Sequence, residues 1–294
     1  MENHSTNYLL LALVVLAWGF SWYGIVVQVA EAPPLISLAW RFALAALFLC
    51  GGLVVTGRWQ RIAWADQKWL AALGFCLFSM NFICFYFAAL YLPSGLLSVV
   101  FASAAILGAV NAWLFFRKPL EARVLLAATL GIVGLSLLLL PEMDKTNAAR
   151  PPWWAIALPF LGTYFFSLGN IISARLSQSY SLPNVVGQGM IRGTAIILAI
   201  CLVTQEPLIL PTTITFWGST LFLALVSSVL AFLTYLTLVN RVGTARASYA
   251  TVLFPIVAML VSSVVEDYSW TFMSASGLAL ALSGTYLTFA PRKP

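Results

Sequence analysis

The sequence predicts an all-α integral membrane protein, with ten transmembrane helices in two five-helix inverted repeats around a central cavity. Three observations carry this. Of 294 residues 62% are hydrophobic and 8% charged, against roughly 25% charged in a soluble domain, so the inventory cannot cover a water-facing surface. The apolar residues come in runs of about 20, the length that crosses a 30 Å hydrocarbon layer at 1.5 Å per residue. Landmarks of the first half also recur in the second.

The runs are Tyr8 to Ala30, Pro34 to Thr56, Gln67 to Tyr91, Pro93 to Phe116 and Glu121 to Leu140, then Trp153 to Gln178, Pro183 to Thr204, Thr213 to Val239, Thr244 to Val265 and Trp270 to Ala290. Tight turns marked by Pro, Gly or charge join them. The polar stretch 141–152 divides the chain into a first repeat at 1–140 and a second at 153–294. The first run is too long for a signal-peptide core and has no basic segment before it, so it reads as a retained helix. Cys50, Cys76, Cys84 and Cys201 all fall inside apolar runs without a CxxC pair, so they suggest packing and not a disulfide framework or a metal site.

Basic residues favour the cytoplasmic side of short loops. With the amino terminus inside, Arg58, Arg61, Lys68, Arg117, Lys118, Arg123, Arg175, Arg241, Arg246, Arg292 and Lys293 face the cytoplasm, and only Lys145 and Arg150 face outward. The net charge of +6 therefore reads as topology and not as a nucleic-acid surface. Both termini are expected inside. Trp59, Trp64 and Trp69 flank one cytoplasmic loop, while Trp153, Trp154, Trp217 and Trp270 mark outer helix starts, where indole rings prefer the headgroup level.

Pro34 and Arg41 answer to Pro183 and Arg192, Gly134 to Gly284, and Arg117 to Asp267. Five is odd, so the second copy enters the membrane from the opposite side, as in inverted-repeat transporters.

An arginine at a helix centre costs about 2.5 to 3.5 kcal/mol to insert. Arg41 and Arg192 are therefore candidates for binding a carboxylate or for gating, unless they snorkel to the interface or bond to a neighbouring helix. Trp18 and Trp22, four residues apart, share a face of the first helix and suit either an aromatic cavity wall or ordinary packing. The deep polar side chains Asn81, Tyr86, Tyr164 and Asn170, with Gln188 and Tyr235, are candidate cavity groups or interhelical bridges. Gly19 permits a bend or a close helix approach, and Pro255 frees a carbonyl, which marks a hinge or cavity lining. Gly189 and Gly193 read as close packing.

Apart from Glu121 at the first position of the fifth run, no Asp or Glu falls inside a predicted helix, and the single histidine is His4, so transport down the substrate's own gradient, or exchange, is expected in place of proton drive. An enzyme is disfavoured, since HExxH, GxSxG and a Cys/His pair are all missing. No cofactor is called for.

The chain resembles the ten-helix branch of the drug/metabolite transporter superfamily, with two EamA-type repeats. The resemblance rests on Ala17-Trp18-Gly19-Phe20-Ser21, Trp40-Arg41-Phe42, Thr244-Ala245-Arg246-Ala247-Ser248, Phe254-Pro255, Glu266 and the glycines of helices five and ten. It implies a monomeric bacterial inner-membrane exporter surrounded by lipid, whose small-molecule substrates are aromatic and other neutral amino acids. Purine, nucleoside or nucleotide-sugar export is the alternative within transporters, and a receptor or scaffold the alternative outside them. Two positions depart from the pattern: Ala105 stands where a second proline is expected in helix four, and Arg117-Lys118 where a glutamate is expected at its end.

Overall fold

A computed structural model describes residues 4–117, 122–143, 151–242 and 249–289. Ten apolar helical spans cross it. They are α1 (His4–Glu31), α2 (Pro34–Val55), α3 (Gln67–Phe75 continuing through Cys76–Met80 and Asn81–Ala88), α4 (Ser94–Ala102 and Ala104–Phe116) and α5 (Ala122–Met143). The second half supplies α6 (Trp153–Leu176), α7 (Leu182–Val203), α8 (Ile214–Leu221, Phe222–Leu230 and Ala231–Val242), α9 (Tyr249–Val265) and α10 (Phe272–Phe289). Eight are long and apolar enough to cross a membrane, and α9 and α10 are shorter apolar helices. Their outer faces expose large apolar side chains such as Leu47, Ile132, Val264 and Phe272, a surface for lipid and not for water.

Prolines set the helix starts. Pro33 precedes α2 with Pro34 in its first turn, Pro93 precedes α4, Pro152 precedes α6, and Pro183 sits in the first turn of α7, where a missing N–H costs no helical bond. The ends of α2 and α7 are built alike. Gly57 and Gln205 both take a left-handed φ, +66° and +55°. Thr56 and Thr204 each turn a hydroxyl back to a helix carbonyl, and Arg58 N–H to Leu53 O matches Glu206 N–H to Cys201 O, the closing bond of a Schellman cap. Arg117 and Asp267, after α4 and α9, share φ +52°. These shared caps are local signs of the repeat.

Packing is reciprocal between the halves. Helix α1 packs on α8 and α9, and α6 on α3 and α4; α2 packs on α7, and α5 on α10. Glycine permits the close approaches. A Cβ on Gly193 would stand 2.5 Å from Phe78 Cβ, and one on Gly189 2.8 Å from the Phe78 ring, as the GxxxG spacing predicts.

Two spans carry a π-helical segment, Cys76–Met80 in α3 and Phe222–Leu230 in α8. They occupy corresponding helices of the two repeats. Nothing in the residue types foretells them, but widened turns of this kind turn backbone groups toward neighbours and concentrate at functional sites. Helix α4 breaks at Ser103, so this helix is interrupted without the proline that Ala105 replaces.

One end of the bundle is basic and the other acidic. Arg58, Arg61, Lys68, Arg175 and Arg241 lie at one, and Glu31, Glu206, Glu266 and Asp267 at the other. The segment Thr244 to Ser248, with Lys118, Glu121, Asp144, Lys145, Arg150, Arg292 and Lys293, lies outside the described residues. At the acidic end the Glu266 carboxylate accepts the Ser94 backbone N–H, at 3.1 and 3.2 Å, and its hydroxyl. This fastens α9 to the first turn of α4, where a negative charge meets the helix dipole. Glu266→Gln is expected to cost about 1 to 2 kcal/mol, read as a melting temperature a few degrees lower in detergent.

Candidate functional site

A cavity of about 590 Å³ lies between the two halves, within the size range of small-molecule sites. Nearly half of its described lining residues are aromatic. The Trp22 ring is 5.1 Å from Phe85 and 5.4 Å from Phe101, and stacks on Phe254 at 6.3 Å with 18° between planes. Phe101 lies 4.5 Å from Phe166, and Trp18 5.2 Å from Tyr235. Trp18 and Trp22 do share one face, as the four-residue spacing requires.

The π segment of α8 joins α1 to this wall. Trp18 Nε1–H donates to the Ser227 carbonyl at 3.3 Å, and Ser227 Oγ–H donates to the Ala17 carbonyl at 3.2 Å. In α3 the matching segment meets α7 through Ser79, whose hydroxyl contacts the carbonyls of Gly74 and Gly193. Both widened turns therefore face the opposite half of the molecule.

Arg41 is the one cationic side chain among the described lining residues, and it is 4% exposed. Its Nε and Nη2 donate to Ser228 Oγ, both at 3.3 Å, and Nη1 donates to Tyr86 Oη at 3.2 Å. The guanidinium also lies 4.7 Å from the Phe82 ring centroid and 5.4 Å from that of Phe42, both within cation–π range. These partners are neutral hydroxyls and ring faces. A buried cation so held attracts an anion strongly, because little water screens it. No Asp, Glu or His stands among the described lining residues.

Of the residues singled out from sequence, Trp18, Trp22, Arg41, Asn81, Asn170 and Tyr235 line the cavity. Asn81 is buried, its Nδ2 donates to Leu77 O at 3.3 Å, and its Oδ1 has no partner. Asn170 is exposed. The fully buried Tyr86 stands behind Arg41. Tyr164 is half-buried on α6 away from the cavity. Gln188 instead clasps the basic-end loop, donating to Gln60 O at 2.8 Å.

Arg192 is exposed, with its Nη2 2.7 Å from Gln67 Oε1 near the basic end. The repeat explains the difference. Counted from Pro34 and Pro183, the counterpart of Arg41 is Met190, a buried lining residue. Arg192 comes two positions later, about 200° further round the helix. Gly19 and Pro255 frame a contact behind the wall. A Cβ on Gly19 would stand 2.5 Å from Val257 Cγ1 and 3.4 Å from Phe254 O. Pro255 lies inside α9 and cannot donate to the carbonyl of Thr251, itself a lining residue.

Sequence reasoning missed Ser227, Ser228, Phe101 and Phe166 as lining residues, and the buried Gln28 and Thr220 behind Arg41. Their side chains look ordinary in apolar runs. The repeat offset that pairs Ser79 with Ser228 could have marked Ser228, and no such pairing marks the others.

The model of the EamA-like transporter family matches residues 5–140 and 153–290. A probable amino-acid metabolite efflux pump of Salmonella typhimurium is 25% identical over 95% of this chain and 93% of its own length. An uncharacterized transporter of Archaeoglobus fulgidus is 23% identical over 97% and 99%. The uncharacterized inner membrane transporter YedA of Escherichia coli K12 is 24% identical over 97% and 92%. A crystal structure superposes with TM-score 0.66 over 96% of both chains at 16% identity, which bears on the fold alone.

Proposed function

We propose a substrate and a mechanism for a chain that belongs to the EamA-like transporter family: export of neutral amino acids, aromatic ones included, by alternating access without proton coupling. The chain is a multi-pass membrane transporter of that family. One observation carries the finer reading, the aromatic cavity with a single buried guanidinium. Arg41 offers a carboxylate site, and the rings around Trp22 offer an apolar wall for a side chain. The name of the Salmonella relative points the same way. Nucleoside export is the second reading, since the same rings would stack a base.

The basic end is read as cytoplasmic, with both termini there and the protein in the bacterial inner membrane, acting as a monomer. The cavity runs from Arg41 toward Thr251, near the basic-end start of α9, while Gln28, Tyr86 and Thr220 close it off at the acidic end. The Glu266 to Ser94 contact holds that end shut. Phe116, the last residue of α4, stands at the position equivalent to Glu266, so the matching position at the basic end carries no carboxylate. The two halves rock about the cavity, and the paired π segments, which face across the halves, are where the helices yield.

The test is flux of labelled phenylalanine, threonine and adenosine from proteoliposomes. Phenylalanine is expected to move fastest, and an imposed pH gradient at fixed substrate gradient to leave its rate unchanged. Adenosine outrunning both amino acids would overturn the substrate reading, and a severalfold pH-gradient effect the coupling. Trp18→Ala removes the indole that meets Tyr235 and Ser227, and is expected to lower phenylalanine flux up to about thirtyfold, since a ring contact and a hydrogen bond are each worth about 1 kcal/mol.

A further inference from the structure

A chain of hydrogen bonds runs behind the cavity wall. It leaves α8 at Ser228, which accepts from Arg41 on α2, and passes to Tyr86 on α3. Tyr86 Oη–H donates to Gln28 Oε1 on α1 at 2.5 Å, and Gln28 Nε2–H donates to Thr220 Oγ1 at 2.6 Å, back on α8. Gln28, Tyr86 and Thr220 are fully buried, and none of the three lines the cavity. The π segment Phe222–Leu230 starts just after Thr220 and contains Ser228.

The direction of donation is set link by link. A carboxamide that gives its N–H to Thr220 must turn its oxygen to Tyr86. The phenol, with one proton, spends it on that oxygen and can only accept from Arg41. The guanidinium has five N–H donors, of which three are engaged by Ser228 and Tyr86. One donor remains on Nη1 and one on Nη2; with Tyr86 taking the Nη1 hydrogen on the Cδ side, these two are the parallel pair that a carboxylate accepts in a two-pronged bond.

We infer that Gln28 and Tyr86 are positioning residues, which orient Arg41 so that its last two N–H groups receive the carboxylate of the transported substrate. The inference rests on the amino-acid reading of the same cavity. Neither residue meets the substrate. Their effect appears only where the substrate carries a carboxylate.

The experiment compares KM for phenylalanine with KM for phenylalaninamide, whose ring and amine are retained and whose carboxylate is neutralised. Wild-type protein in proteoliposomes is expected to favour phenylalanine. Tyr86→Phe and Gln28→Met are each expected to raise KM for phenylalanine about tenfold, the weight of one hydrogen bond to a charged group, and to leave KM for the amide unchanged. In an Arg41→Met background Tyr86→Phe is expected to add nothing. If Gln28→Met does not give monodisperse protein, Tyr86→Phe, which deletes a single oxygen atom, decides alone. A wild type that takes both compounds equally overturns the carboxylate reading and the inference with it. A discriminating wild type whose variants keep its KM ratio, or raise both KM values together, overturns the inference alone.

Discussion

Arg41→Met is expected to lower phenylalanine flux at least about a hundredfold in protein that still inserts and remains monodisperse. The lost interaction is a two-pronged bond between a buried cation and a carboxylate, and each charge-assisted hydrogen bond contributes about 1.5 to 3 kcal/mol. A hundredfold loss needs only about 2.7 kcal/mol. Insertion should not suffer, because methionine removes a charge that costs about 2.5 to 3.5 kcal/mol at a helix centre. Arg41→Lys is expected to restore little, since an ammonium cannot reproduce the planar fork. The contrast is Arg192→Met, which deletes an exposed contact with Gln67 and is expected to leave flux within about twofold. Initial rates of counterflow in proteoliposomes measure all three. Equal rates for wild type and Arg41→Met would remove the guanidinium from the site.

The different fates of the two arginines show where the sequence could be read and where it could not. Helix existence followed from apolar length, and helix starts from Pro34, Pro93, Pro152 and Pro183, because both rest on local chemistry. The Trp18 and Trp22 pair was legible for the same reason, as an i, i+4 spacing imposes a shared face. Facing across the repeat was not. A slip of two positions turns a side chain about 200° round its helix, so pairing Arg41 with Arg192 placed one in a cavity and the other at an interface. Gln28 was invisible because it stands one turn before Glu31 and reads as a polar helix end. Its burial depends on Tyr86 and Thr220, distant in sequence. The π segments have no residue signature at all, and the interruption of α4 at Ser103 occurs without proline. Tyr164 and Gln188 are polar residues deep in apolar runs, and depth alone does not tell a cavity group from one that fastens a loop.

Gly134→Leu is expected to destroy the folded protein. Helices α5 and α10 pack together through facing glycines, with backbone against backbone. A Cβ on Gly134 would stand 2.5 Å from Ala281 N and 2.6 Å from Gly277 O, and one on Gly284 2.5 Å from Ala127 O. Main-chain atoms cannot rotate out of the way, so the helices must separate. Overpacking that side chains can absorb already costs about 1 to 3 kcal/mol, and here the close approach is itself the source of the attraction, since lipid supplies no hydrophobic drive between apolar helices. The expected readout is loss of the monodisperse peak in detergent and of the cooperative thermal transition. Gly51→Leu is the matched comparison, since a Cβ there meets nothing within 4 Å. Leucine also suits a helix interior better than glycine by roughly 0.8 kcal/mol, so this variant is expected to melt no lower than wild type. If Gly134→Leu survives as well as Gly51→Leu does, then α5 and α10 do not meet through their glycines. The contact that most directly joins the last helices of the two repeats would then have to be sought elsewhere.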